Sequence, residues 1–127
     1  KRLREEALSV TRWNLLHPSE ERRIPRVTRL LADVAGPVIA VTDYMRLVPD
    51  QVSRWVPGPF TTLGTDGFGR SDARKALRRF FEVDTGHIVA ATLSTLAGQG
   101  AVPDTVVRDA FERYAIDPEA PDPAITR

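Results

Sequence analysis

Apolar positions along this chain change period several times, and each change marks a new element. Leu3, Ala7, Leu8, Leu15 and Leu16 form a helical stripe with Trp13 near its edge. Arg2, Arg4, Glu5, Glu6 and Arg12 fill the other faces, so residues 2–16 are expected to be helical. A polar link runs from His17 to Arg23. Pro25 suits the first turn of a second helix, carrying Val27, Leu30, Leu31 and Val34 and stopped by Gly36-Pro37. Val38 to Val41 is then apolar without alternation, as expected of a strand covered on both faces. Tyr44 to Trp55 reads as helical with a break at Pro49-Asp50, and Pro57-Gly58-Pro59 turns the chain into a second strand, Phe60 to Leu63.

The second half is helical by the same criterion. Ser71 or Asp72 is expected to cap a helix presenting Leu77, Phe80 and Phe81. Asp84 or Thr85 caps the next, whose stripe runs from Ile88 to Leu96 and ends at Gly98 to Gly100. Pro103-Asp104 opens a last helix with Val106, Val107, Ala110, Phe111 and Tyr114 inside. Asp117 to Arg127 holds three prolines and little apolar matter, so a Pro-rich tail, extended or disordered, is expected over 117–127.

The segment between the second strand and its helix carries the densest backbone signal. Gly64, Thr65, Asp66, Gly67, Phe68, Gly69, Arg70, Ser71 and Asp72 place three glycines within six residues. In α/β sheets, sites gather where a strand feeds such a loop and then a helix. The spacing G-x-x-G-x-G lacks the Lys-Ser/Thr of a P-loop and the full dinucleotide fingerprint. Asp66 and Asp72 would repel a phosphate, so a tight turn packed on a neighbouring domain or subunit is preferred. Phe68, a large apolar residue between two glycines, fits an anchor at such a contact. Ser71-Asp72 has no histidine placed beside it by a motif and reads as a cap. His17 and His87 lack ligand-spaced companions and read as solvated or hydrogen-bonded imidazoles. The clusters Arg22-Arg23-Arg26-Arg29 and Arg70-Arg74-Lys75-Arg78-Arg79 have acidic neighbours and read as solvated faces, with an acidic partner surface as the alternative.

Composition narrows the class. The 127 residues suffice for one core, and 18 basic against 17 acidic side chains leave +1, which exerts no long-range pull on nucleic acid or anionic membrane. No cysteine is present, so a disulfide framework and thiolate metal sites are excluded. No apolar run approaches the roughly 20 residues that span a bilayer. The expectation is a soluble, cytoplasmic α/β protein without nucleic-acid or membrane partners.

About six helices with only two strands, both apolar on two faces, make an unusual α/β tally, because two-stranded sheets are marginal alone. The text also opens inside a helical pattern with no cap. Both features lead us to expect a partial α/β fold whose remaining strands lie upstream.

Four segments together resemble one family. They are Arg12-Trp13-Asn14-Leu15-Leu16-His17-Pro18, Val41-Thr42-Asp43-Tyr44-Met45-Arg46, Leu63 through Asp72, and Phe81-Glu82-Val83-Asp84. In this order and spacing they are similar to the C-terminal end of the homodimeric bacterial pyruvate dehydrogenases, from about Leu3 to Ile116. The resemblance implies a transketolase-like architecture in which an N-terminal and a middle domain bind thiamine diphosphate and Mg²⁺ across a dimer interface. This chain would be the later two-thirds of the third domain, over residues 1–116. The resemblance therefore implies no catalytic, cofactor or metal residue here. It implies as partners the upstream catalytic domains, a second subunit and, in the complex, a dihydrolipoyl acetyltransferase. The other reading of the residues is a free-standing regulatory module that binds an anion or nucleotide at Gly64 to Asp72.

Overall fold

The computed structural model describes residues 24–126. The helix expected over 2–16, the link at 17–23, His17 and the Arg12 to Pro18 motif lie outside the described residues. Helix α1 spans Ile24–Leu31, followed by strand β1 (Val38–Val41), a short helix α2 (Leu47–Asp50), a 3₁₀ turn (Ser53–Trp55) and strand β2 (Phe60–Leu63). Helices α3 (Arg74–Phe80), α4 (Thr85–Gly98) and α5 (Asp104–Arg113) complete the order.

The strands pair in parallel, with Val38 opposite Phe60 and Val41 opposite Leu63. Both fall where the sequence places them, β1 on an apolar run and β2 on the segment Phe60-Thr61-Thr62-Leu63. The expected enclosure on two faces is not met among the described residues. Every residue of β2 is half-buried, and Val41 of β1 is 38% exposed. One face is covered by α4, which packs on β1 and whose Thr95 hydroxyl meets that of Thr61 at 3.5 Å. α1 packs against the 3₁₀ turn instead, where the Thr28 hydroxyl donates to the Trp55 carbonyl at 2.9 Å.

Three helix boundaries differ from expectation. α1 stops at Leu31 rather than near Gly36, because the Val34 N–H bonds back to the Leu31 carbonyl in a turn. The helix expected from Tyr44 begins only at Leu47, after a loop that follows β1. Pro49 lies inside that first turn, where its missing N–H costs nothing. Neither Ser71 nor Asp72 caps α3. Ala73, in an extended conformation, is its N-cap, and the Asp72 carboxylate accepts from the Ala73 N–H at 2.7 Å.

α4 is capped as its sequence implies: the Asp84 carboxylate accepts the His87 N–H at 3.0 Å. α4 and α5 then pack side by side, and the buried apolar side chains Val83, Ala90 and Ala110 all belong to this corner. α3 and α5 both end in the Schellman pattern, with Val83 N–H to the Arg78 carbonyl and Ile116 N–H to the Phe111 carbonyl, each 2.9 Å. The left-handed residue there is Glu82 (φ 58°) in one and Ala115 (φ 50°) in the other. Helices more often place glycine at that position.

Residues 117–126 contain turns at 118–119 and 123–125 instead of one straight extended run, and Pro123 and Ala124 are half-buried.

Candidate functional site: two loops at the carboxyl edge of the sheet

Parallel pairing sends both strands out of the sheet at the same edge, so the loops after β1 and β2 emerge side by side. The ladder continues into them. The Thr42 N–H donates to the Leu63 carbonyl at 3.0 Å, and the Thr65 N–H donates to the Tyr44 carbonyl at 2.9 Å. Gly64 permits this approach: a Cβ there would lie 2.6 Å from the Tyr44 carbonyl oxygen and 2.9 Å from the Arg46 nitrogen.

Asp66 closes the junction. Its two carboxylate oxygens accept the Arg46 backbone N–H, each at 3.2 Å, and Oδ2 accepts Arg46 Nε–H at 2.6 Å. The Asp66 hydrogen bond raises the Arg46 pKa above its ordinary value; burial works against this, while the charges of Asp66, Asp122 and Asp50 reinforce it. Asp66 therefore serves an internal contact, and Arg46 is the partner that sequence reasoning did not place beside it. The available signal was its place just after a strand neighbouring the one that feeds the glycine loop.

The rest of the loop stands further out. Gly67 adopts φ 111°, where L side chains are strained, and a Cβ on it would lie 2.7 Å from the Pro123 carbonyl oxygen. Phe68 is 57% exposed. Gly69, Arg70, Ser71 and Asp72 are also exposed. The Arg70 guanidinium nevertheless lies 4.3 Å over the Phe80 ring. Between the loop and α3 is a cleft of about 530 Å³, with Leu77, Phe81 and Val83 at its base and Arg74 and Arg78 on its side.

The basic cluster on α3 is largely knitted into its own fold. Arg78 and Arg74 reach the Asp43 carboxylate at 3.3 and 3.8 Å, tying α3 to the β1 loop. Arg79 bonds to Asp84 at 3.4 Å and also donates to the Ala115 carbonyl, joining the ends of three helices. His87 is hydrogen-bonded, its Nδ1 2.7 Å from Asp84 Oδ1. Burial alone would raise the Asp84 carboxyl, but the His87 N–H and imidazole, with Arg79, outweigh it and hold the group below the usual carboxylate range.

The carboxylates around the loop are thus engaged by Arg46, by Arg74 and Arg78, and by the Ala73 N–H. Among the described residues no group of three or more His, Cys, Asp or Glu is placed to hold a metal ion, and no helix is long and apolar enough to cross a membrane. This donor set does not fit a metal-bound diphosphate, and no chemical step is assigned to it.

A two-loop carboxyl edge of parallel strands, overlaid by helices, is an α/β feature, and comparison with known proteins specifies which kind. Residues 1–84 match the family described as transketolase-like TK C-terminal domain, and the chain belongs to that family. It is 49% identical over 122 residues to the pyruvate dehydrogenase E1 component of Pseudomonas aeruginosa, covering 95% of this chain and 14% of that protein. It is 50% identical over 115 residues to the protein of the same name from Mycolicibacterium smegmatis, covering 91% of this chain and 12% of the relative. For the Escherichia coli K12 protein, again a pyruvate dehydrogenase E1 component, the identity is 44% over 115 residues, 90% of this chain and 13% of the relative. The chain thus spans about an eighth of the length of these relatives. The resemblance drawn from the four sequence segments is borne out. The free-standing anion-binding module finds no support in these relatives.

Proposed function

We propose that this chain is part of a thiamine-diphosphate-dependent pyruvate dehydrogenase and serves it as an assembly domain, performing no chemistry itself. The observation that carries this reading is identity of 44–50% across at least 90% of the chain to relatives named pyruvate dehydrogenase E1 component, of which it matches only 12–14%. The parent reaction would release the pyruvate carboxylate as CO₂ and pass the acetyl group to a lipoyl carrier, whose disulfide is reduced by the two electrons released. Thiamine diphosphate and Mg²⁺ would be held by the rest of the parent protein. The parent would be a cytoplasmic homodimer working with a dihydrolipoyl acetyltransferase.

The physical support for an assembly role is the apolar surface at the carboxyl edge. Tyr44 (60% exposed), Met45 (39%), Leu47 (64%) and Phe68 (57%) belong to the two adjoining loops and the helix that follows the first. Exposed apolar groups concentrated this way mark interaction surfaces. Burying them contributes about 25 cal/mol per Å². Gly64, Thr65, Asp66 and Gly67 shape the turn, Phe68 is its anchor, and Gly69, Arg70, Ser71 and Asp72 lead from it into α3. Open edges of the two-stranded sheet would pair with strands from upstream sequence of the parent.

The test is Phe68→Ala in the full-length protein, read by sedimentation velocity and by turnover at several protein concentrations. Dimer dissociation at least tenfold easier, with turnover per dimer unchanged at high concentration, is the expected result. Unchanged assembly with an altered KM for pyruvate would refute the assembly role.

A further inference from the structure

Residues 117–126 form two local turns. The Asp117 carboxylate accepts the Glu119 N–H at 3.0 Å. In the second turn the Asp122 carboxylate accepts the Ala124 N–H at 2.8 Å, and the Asp122 carbonyl accepts from the Ile125 N–H at 3.1 Å and the Thr126 hydroxyl at 2.9 Å. An aspartate side chain bonded to the backbone N–H two residues on is a locally favoured turn.

That second turn lies against the glycine loop. Positions around a Cβ at Gly67 would be 2.7 Å from the Pro123 oxygen and 3.0 Å from the Ala124 Cα, both backbone atoms that cannot swing aside. Asp122 also attracts Arg46 electrostatically, and Arg46 clasps Asp66. Arg46 and Asp122 line one cavity of about 360 Å³. Three segments distant in sequence therefore meet here: the β1 loop, the glycine loop and the 122–126 turn.

A loop with glycines at 64, 67 and 69 has large backbone entropy to lose, and its outer part, from Gly67 to Asp72, lies outside any helix or strand. We infer that the 122–126 turn is a strap that fixes the conformation of the glycine loop, so that order in the loop and order in the strap rise and fall together. The coupling is reciprocal, as any linkage between two local equilibria must be. It rests on contacts within this chain and stands apart from what the loop meets in an assembly.

Hydrogen exchange on the full-length protein tests it. Asp122→Ala removes the side-chain acceptor of the strap and leaves the loop sequence intact. The expected result is exchange about tenfold faster at the amides of Thr65 and Arg46, which bond to the Tyr44 carbonyl and the Asp66 carboxylate, with those from Ile88 to Leu96 in α4 unchanged. Gly67→Ala should in turn speed exchange at the Ala124 and Ile125 amides. Freed Ala124 and Ile125 amides in Asp122→Ala, with exchange at Thr65 and Arg46 as before, would overturn the strap. Equal acceleration throughout α4 would overturn it too, since the change would then be general unfolding. Sedimentation of the same variant separates this outcome from the fate of the assembly reading: a dimer unaffected by a loosened loop contradicts assembly and leaves the strap standing.

Discussion

The corner built by α4 and α5 and the sheet with its two loops differ in how far each is finished by its own residues. Val83, Ala90 and Ala110 are buried in the first. α4 carries an aspartate cap, α5 and the preceding α3 end in Schellman closures, and Arg79 ties three helix ends together. The second has no buried apolar side chain among the described residues, although β1 is apolar throughout. In an α/β protein the order of burial is ordinarily the reverse, with parallel strands deepest. On the assembly reading proposed above, the sheet side is the surface that the rest of the parent would cover.

Three substitutions break or sharpen this contrast. The largest effect is expected of Val41→Asp in the full-length protein. If neighbouring domains cover β1, an unpaired carboxylate is buried there, and thermal unfolding should report a loss of about 3 kcal/mol or more. A neutral outcome would mean that the strand faces solvent in the parent, and the contrast would vanish. Asp84→Ala, on the finished side, should cost about 1–2 kcal/mol through the lost cap. Its pH dependence has a definite sign. The Asp84 carboxyl titrates lower when folded than when unfolded, so its contribution is complete above the ordinary carboxylate range and fades as pH falls through the lowered value. Urea midpoints of the original and Asp84→Ala proteins should therefore keep their separation at neutral pH and converge only in acid. The smallest effect is a gain. Glu82→Gly relieves a left-handed side-chain residue and should stabilise the protein by about 1 kcal/mol in the same assay.

Much of this architecture was legible because its signals are local. β1 is an unbroken apolar run and β2 a β-branched one flanked by Phe60 and Leu63, both bounded by proline or glycine, and the Asp84 cap sits three residues before the amide it accepts. The four family segments were legible as text. What escaped reading depends on distance or on missing marks. Asp66 reaches Arg46 across 20 residues, and only the parallel register brings them together. Asp122-Pro123 reads as a turn, yet nothing in its neighbours says that it will rest on Gly67. The left-handed closures at Glu82 and Ala115 carry no glycine to announce them. Ser71 and Asp72 are good capping residues, but the extended backbone at Ala73 moved the start of α3 past them.

The clasp between Arg46 and Asp66 is made through Nε, an atom that lysine lacks. An ammonium at position 46 could keep the charge but could not reproduce that donor set back along the side chain. The two positions are therefore expected to be inherited as a single unit. Across relatives they should be retained as a pair or replaced as a pair, and a lone change at either should surface only beside a compensating one.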